Sequence, residues 1–517
     1  MAQIFYVILL LVVVVVTNEA ARILAVYPLP YYSHQIVFRP LTLELVRRGH
    51  EVVVLTTDPI YRKSEAPANL TEVDLHDISY DVWRKATKAT SIILGNNNNI
   101  VPHLRFIYKT MAKVIEKQLQ QEEIQTILSG KNKFDLLIHE SFCSPILILS
   151  HVLQVPVIQI STLGTIPDIP SIVGVPSHPF LYPYPIQQKV YNLSILDKFK
   201  QFYINYHFRK IALDTETDFD MIVKNIIGAK IPKLSELKKN VELVFLNVHS
   251  IWDLNRPVPP NIIYLGGLHQ QPEQILPEHL KSYLDSSTHG VIYVSFGSNI
   301  DPTLLPAHKI QTLINVFSKL PYDVLWKWNK DELPGRNDNI RISKWLPQAD
   351  LLRHPKIKMF ITQGGLHSTD EAITAGVPLI GIPMVTDQWY NVEQYVHHGF
   401  GVRVDIETID EENFENAINE ILNNDSYRQN ILRMKRIFND QPQTPLERAV
   451  WWTEYVIRHG GAKHLRSPAA NVSWTEYLEL ELIFYLLTTF LLIMGSLIFT
   501  VYRLIVVKKI QGKLKSE

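Results

Sequence analysis

A glycine turn between two apolar runs, two short-chain polar pairs and an early histidine are the residues whose spacing supports chemistry. Residues 358–362 are an apolar run ending in Gln363-Gly364-Gly365, and residues 366–375 follow with helical spacing, which predicts a strand, a tight turn and a helix. Ser368 and Thr369 are placed to cap that helix. Glycine lets backbone approach an anion closely, and the unpaired N–H groups at a helix start carry the positive end of its dipole, so this corner suits a diphosphate. One turn on, Glu371 is placed to accept a pair of ribose hydroxyls. Residues 377–383 predict the next buried strand, and Asp387-Gln388 leave it at the carboxyl edge, positioned for the hydroxyls of a sugar. A second small-residue turn, Gly297-Ser298-Asn299, follows the strand predicted over residues 290–296 and faces the same anion.

The second chemistry lies near the start of the chain. Residues 22–29 predict a buried strand, residues 31–34 its exit loop, residues 37–48 an amphipathic helix closed by Gly49, and residues 51–56 the next strand. His34 therefore stands at a carboxyl strand edge, where an imidazole that titrates near neutrality can act as a base. Residues 134–138 predict another strand, and it ends in His139-Glu140-Ser141, which brings Glu140 to the same edge. A carboxylate there orients the imidazole and stabilises its protonated form. Strand alternation sends His139 to the opposite face.

These sites need parallel sheets to carry them. Strand, helix and strand joined by short loops imply a doubly wound parallel sheet, and the pattern occurs twice. The 517 residues, 46% apolar, suffice for two cores of about 200 to 250 residues each. Fifty-one basic side chains balance 51 acidic ones, which gives no reason to expect nucleic acid as a partner. The single cysteine, Cys143, excludes an intramolecular disulfide, and no Cys/His cluster has zinc spacing. Asp218-Phe219-Asp220 has a metal-binding spacing but falls in a predicted helix, so it reads as a solvated face and no metal is expected. Residues 80–125 and 165–206 are irregular, and read as loops over an acceptor site. Phe180, Tyr182 and Tyr184 among them suit an apolar molecule. Residues 234–263, with Pro257, Pro259 and Pro260, read as the crossing between the halves. Residues 437–460 have helical spacing and the aromatic bulk of Trp451, Trp452 and Tyr455.

Both ends suggest a membrane. Residues 4–16 are apolar and lead into Thr17-Asn18-Glu19-Ala20-Ala21, which reads as a signal peptide cleaved near Ala20, or else as an uncleaved anchor. Residues 482–502 hold 21 positions without a charge, enough to span a hydrocarbon core of about 30 Å. Arg503, Lys508, Lys509, Lys513 and Lys515 follow, which places the tail in the cytosol and the main body in the lumen. Lys513 and Lys515, three and five positions from the end, resemble a dilysine retrieval signal of the endoplasmic reticulum. Asn69, Asn192 and Asn424 begin sequons that are candidates for N-glycosylation, whereas Asn471, close to the membrane, should be a poor acceptor.

The run from Phe360 through Thr362-Gln363, Gly365, Glu371, Pro378, Pro383 and Asp387-Gln388, with Trp345-Leu346-Pro347-Gln348 upstream, resembles the UDP-glycosyltransferases, in particular the membrane-bound UDP-glucuronosyltransferase type of animals. The resemblance implies an α/β fold of the GT-B type, two doubly wound Rossmann-like domains facing across a cleft, with one C-terminal transmembrane helix. It implies that Trp345 stacks on uracil and Gln348 bonds its edge, and that Ser298, Gln363, Gly364, Gly365, His367, Ser368, Glu371, Asp387 and Gln388 bind the UDP-sugar. It makes His34 the base and Glu140 its partner, at a position where the family usually has Asp. Gln363 replaces a His common in relatives and leaves glucose against glucuronate open. The division expected is a signal peptide over 1–20, an acceptor-binding domain over 21–260 and a UDP-sugar-binding domain over 261–436. A helix and membrane-proximal segment over 437–476 return to the first domain, and a transmembrane helix over 480–505 and a cytosolic tail over 506–517 follow. The function implied is inverting transfer of a hexosyl group from a UDP-sugar, a co-substrate rather than a cofactor, to a small lipophilic aglycone. A homo-oligomer is left open. The rival is a membrane-tethered nucleotide-sugar-binding protein without catalysis; a dinucleotide oxidoreductase is weaker, because no Gly-x-Gly-x-x-Gly follows the first strand.

Overall fold

The computed structural model describes residues 20–62, 64–88, 94–95, 100–228, 230–298 and 300–514. The expected signal peptide, the polar tract at 96–99, Asn299 and Lys515 lie outside the described residues, apart from Ala20 at the end of the first. Seven parallel strands form the first sheet: β1 Arg22–Tyr27, β2 Glu51–Thr56, β3 Leu70–Asp74, β4 Leu136–Glu140, β5 Val157–Ser161, β6 Val241–Leu246 and β7 Ile262–Tyr264. Their order is β3-β2-β1-β4-β5-β6-β7. Between them, and around the sheet, run α1 Tyr32–Arg47, α2 His76–Lys88, α3 Ile100–Leu119, α4 Glu122–Leu128, α5 Ile169–Val173 and α6 Ile195–Ile227. The second sheet has six parallel strands, β8 Val291–Ser295, β9 Asp323–Lys327, β10 Ile340–Ser343, β11 Ile357–Thr362, β12 Leu379–Gly381 and β13 Gly401–Arg403, in the order β10-β9-β8-β11-β12-β13. Helices cover both faces, so β1, β4, β5, β6 and β8 are apolar runs buried almost throughout rather than alternating.

Each order reverses direction once, between β1 and β4 in the first sheet and between β8 and β11 in the second. Connections leave to opposite faces at such a point and open a crevice at the carboxyl ends of the two strands. Helix α7 Leu366–Ala375 follows β11 at one crevice and α8 Gln388–His397 follows β12. Beyond the second sheet come α9 Asp425–Asn439 and α10 Pro445–His459. Ala449, Val450 and Val456 of α10 join the core cluster of the first sheet, and Arg48 Nη1 lies 3.2 Å from Glu454 Oε1. Helix α11 Leu480–Leu514 closes the described chain; its residues 480–512 form one apolar helix long enough to cross a membrane, with none of its most apolar stretch buried in the protein.

Several expectations differ from the structure. Helix α1 starts at Tyr32, so His34 lies in its first turn rather than in a loop; Tyr31 at the N-cap makes no side-chain capping bond, which removes the usual sequence mark of a helix start. Residues 80–125 are largely the helices α2, α3 and α4, and residues 195–206 are the start of α6. Residues 234–263 are not a crossing but contain β6 and most of β7, so the division expected at residue 260 falls before the last strand of the first sheet. Tyr184 is core, 3% exposed and edge-on to Phe208, whereas Tyr182 and Phe180 are half-buried, the first under the Arg256 guanidinium at 5.5 Å and the second beside His178 at 5.7 Å. Asp218 is solvated as the pattern requires, and Asp220 Oδ1 accepts from the Leu234 N–H at 2.9 Å.

Candidate active site at the two switch points

His34 and Glu140 meet at the switch point of the first sheet. β4 registers beside β1 up to Val26 and His139, so Glu140 is the next residue at the carboxyl edge, and its Oε1 contacts His34 Nδ1. Thr162, just past β5, places its hydroxyl 3.2 Å from the same nitrogen. Nδ1 is thereby committed, and Nε2 is the nitrogen left to exchange a proton with a substrate. Glu140 is fully buried, its side chain 0% exposed against 16% for His34. A carboxyl so placed holds the imidazole in one orientation. His139 points away, buried, with Nδ1 2.8 Å from the Glu140 carbonyl; burial lowers its pKa to about 4. Tyr31 and Phe142 flank the His34 ring at 5.1 and 6.3 Å, and Trp83 stands 4.7 Å from Tyr31 with Phe106 beyond it at 6.1 Å.

The second switch point holds the two glycine turns. Gly364 has φ +89°, and a Cβ there would stand 2.7 Å from Val392 Cγ2 and 3.0 Å from the Gln388 carbonyl. Gly297, with φ +76°, would meet Gln363 Nε2 at 2.3 Å, so the Gln363 amide lies between the turns. Gly365 is the N-cap of α7 without a side-chain cap, which leaves the first N–H groups of the helix for an anion. Ser368 and Thr369 do not cap this helix: Thr369 donates back to the Gly365 carbonyl at 2.9 Å, and Ser368 accepts from Gln348 at 2.9 Å. Lys327 donates to the Gly297 carbonyl at 2.8 Å, and Ser298 is exposed beside it.

Trp345 is 59% exposed, with Tyr32 of the first domain edge-on to it at 5.8 Å. Gln348 is engaged at both ends: Tyr293 donates to its Oε1 at 3.0 Å, and its Nε2 donates to Ser368 and, at 2.7 Å, to Glu371 Oε2. Burial pushes the Glu371 carboxyl up to about 7, against the pull of that Gln348 donor. Asp387, also raised by burial, accepts from Thr386 at 3.0 Å and from Asn391 Nδ2 at 2.8 Å. Gln388 Oε1 accepts from the N–H groups of Met384 and Val385 at 2.8 and 2.9 Å and so fixes the turn after β12. His367 stacks on His269 at 4.4 Å and takes the Asn247 amide at 3.4 Å; burial first, then His269 and His34, keep it neutral. His34 likewise acts on Asp387, which puts the two halves of the site within electrostatic range.

The residue reading misses Thr162, Trp252 and Asn391. Asn391 Nδ2 also donates to the Gly364 carbonyl at 2.8 Å, and its Oδ1 accepts from Trp252 Nε1 of the first domain at 2.8 Å. Tyr390 returns a bond to the Trp252 carbonyl at 2.7 Å. The four-residue spacing from Asp387 to Asn391 on a helix is a usable signal for that pair; nothing local marks Trp252. Of the sequons, Asn69 spends its amide on the Val46 and His50 carbonyls at 2.8 and 2.9 Å, a poor disposition for a glycan, whereas Asn192 and Asn424 are exposed. Among the described residues no group of three or more His, Cys, Asp or Glu side chains is placed to hold a metal ion.

Two doubly wound sheets, with a His–Glu pair at one switch point and two glycine turns at the other, have the architecture of the GT-B class. Among solved structures, the calicheamicin glycosyltransferase CalG4 is similar over 85% of this chain and 99% of its own, with a TM-score of 0.58 and 16% identity. The glycosyltransferase VinC in complex with DTDP covers 85% of this chain at TM-score 0.57 and 13% identity, with all of its own chain matched at 100%. At such identities the likeness is one of fold. The family model described as "UDP-glucoronosyl and UDP-glucosyl transferase" matches residues 22–516, and the chain belongs to that family. The ecdysteroid UDP-glucosyltransferase of Spodoptera littoralis nuclear polyhedrosis virus is 35% identical, across 91% of this chain and 95% of its own length. UDP-glycosyltransferase UGT5 of Dactylopius coccus is 31% identical across 93% and 90%, and human UDP-glucuronosyltransferase 2B17 is 30% identical across 88% of each. The protein is an enzyme that transfers a glycosyl group from a UDP-sugar to an acceptor.

Proposed function

We propose that His34 is the base of an inverting transfer to a small lipophilic alcohol or phenol, and that Glu140 holds its imidazole. The observation that carries this reading is the contact of His34 Nδ1 with buried Glu140 at one switch point, opposite Asp387 and the glycine turns at the other. The acceptor hydroxyl gives its proton to His34 Nε2, its oxygen bonds to the anomeric carbon, and the bond from that carbon to the β-phosphate oxygen breaks. UDP leaves with its new charge facing the N–H groups at the start of α7. Gly364, Gly365, Gln363 and Ser298 bound the diphosphate, Glu371 the ribose, Trp345 the uracil, and Asp387 with Gln388 the hexose. Glu140 in place of Asp is accommodated, since its longer side chain reaches His34. The rings of Tyr31, Trp83, Phe106 and Phe142 support an apolar acceptor.

Glucose is the better supported donor sugar. The viral relatives and one of the Dactylopius relatives are named as UDP-glucosyltransferases. For location, the cations after the apolar span of α11 support a cytosolic tail and a lumenal active site, and Lys513 with Lys515 supports residence in the endoplasmic reticulum. Microsomes carrying the chain, incubated with UDP-glucose or UDP-glucuronate and a panel of phenols and sterols, should form glycosides from the first donor at the higher rate. Donor binding with no acceptor turned over would instead make the chain a nucleotide-sugar-binding protein.

A further inference from the structure

Helix α6 is apolar on two opposite faces. One face carries Gln201, Asn205, Phe208, Ile211, Thr215 and Phe219 and is buried, with Phe208 edge-on to Tyr108 of α3. On the other face Ile195, Phe199, Phe202, Tyr206 and Leu213, spaced by three, four or seven, are 76%, 69%, 59%, 56% and 60% exposed. Leu196 and Tyr203 widen the stripe at 64% and 57%. Single exposed apolar side chains are ordinary, but seven along five turns of one helix form a continuous patch that water does not stabilise. A helix apolar on two opposite faces belongs between two apolar partners, and among the described residues only one is present.

Charge and position name the second partner. The apolar half, residues 195–213, carries Lys198, Lys200, Arg209 and Lys210 against Asp197 alone, whereas residues 214–227 carry four carboxylates and one lysine. Aromatic and aliphatic side chains flanked by cations are the composition of a helix lying in the headgroup boundary of a bilayer. The membrane is also close. Asn471 docks on α5, its N–H 2.6 Å from the Ser171 carbonyl and its Nδ2 3.2 Å from the Ile172 carbonyl. Lys238 joins the same corner to α6, 3.4 Å from Asp168 beside α5 and 2.6 Å from Glu216. Only the residues from 472 to 479 separate Asn471 from α11, and such a stretch reaches at most about 30 Å. The apolar half of α6 begins three residues before Glu216, at Leu213.

We propose that the exposed stripe of α6 lies in the headgroup boundary of the bilayer that α11 crosses, so that the first domain is held to the membrane at two places. Resting on the reading of His34 as the base, this contact also brings acceptors dissolved in the bilayer to the domain that carries His34. α6 packs on α3, and Phe106 of α3 begins the chain of rings that runs through Trp83 and Tyr31 to His34.

The test uses the full chain reconstituted in vesicles of phosphatidylcholine with one part in five phosphatidylserine. Cys143 is buried, so a nitroxide can be attached selectively at Phe202→Cys, and at Asp218→Cys as the solvated reference. Collision with oxygen and with a water-soluble nickel chelate reports depth. The Phe202 label should be several-fold more exposed to oxygen and several-fold less to nickel than the Asp218 label. Equal nickel access at both sites overturns the proposal. So does spin–spin broadening that disappears on dilution with unlabelled chain, which would make the partner a second copy, or shielding from both reagents, which would make it a protein segment. The triple variant Phe199→Ser, Phe202→Ser, Tyr206→Ser should raise KM several-fold for a membrane-partitioned phenol and leave KM for a water-soluble phenol unchanged. A parallel change in both overturns the delivery of acceptors from the bilayer. The label depths do not depend on His34, so the two readings fail separately.

Discussion

Lowering the pH should weaken donor binding through one carboxyl, and Glu371→Gln should abolish that dependence. Glu371 is largely enclosed, and burial pushes its pKa from 4.5 to about 7. To accept ribose hydroxyls it must be ionised, so binding is favoured as pH rises through 7 and reaches a plateau above it. At pH 7 about half the free sites hold the proton, and at pH 5.5 about 30 hold it for each that does not, so affinity for UDP-glucose should fall about 16-fold between these pH values, or about 1.6 kcal/mol. UDP-glucose is the right probe, because its diphosphate does not titrate in this window. The same shift works against the unliganded fold: a raised carboxyl contributes stability that is complete below 4.5 and lost as pH passes 7. Glu371→Gln should therefore stabilise the free protein at pH 8, by up to about 3 kcal/mol, while weakening the donor. Titration calorimetry from pH 5.5 to 8, in buffers of different ionisation enthalpy, measures affinity and proton release together. A wild-type affinity flat across that range, or a slope that survives in Glu371→Gln, refutes the assignment.

Gly364→Ala forces a side chain into a positive-φ conformation against Val392 and the Gln388 carbonyl, at a cost of about 2 kcal/mol or more; melting curves should show a lower midpoint that UDP no longer raises. Trp252→Phe keeps an aromatic ring but removes the donor to Asn391, a loss of about 1 kcal/mol, and adds a cavity cost where the buried indole was larger. Transfer from UDP-glucose to a phenol should slow several-fold. Arg256→Leu leaves Asp253 buried without its partner 3.2 Å away, and should destabilise the first domain by about 3 to 5 kcal/mol in urea titrations.

His34 and Glu140 are legible in the sequence because each follows an apolar run at its carboxyl end, and a parallel sheet brings such ends together. The turn at Gln363-Gly364-Gly365 is legible for the same reason, with the bounds of α7 matching the periodic stretch from 366 to 375. The helices over the acceptor side are not. α6 is apolar on two faces and so has no single-faced period to read, and α1 lacks a capping residue at its start. The partners of Gln348 are not legible either: its spacing from Trp345 says nothing of Glu371, 23 residues on, which accepts its amide at 2.7 Å. The bridge from Trp252 to Asn391 joins residues 139 apart, a pairing made only by the closure of two domains on each other.

The most direct measurement is transfer of glucose from UDP-glucose, in which the sugar is α-linked, to a phenol by the wild type and by His34→Ala, with the product anomer read by NMR. The expected result is a β-glycoside from the wild type and a rate at least a hundredfold lower in His34→Ala, with donor affinity unchanged. An α-glycoside, or transfer by His34→Ala at the wild-type rate, would contradict the assignment of His34 as the base of an inverting reaction.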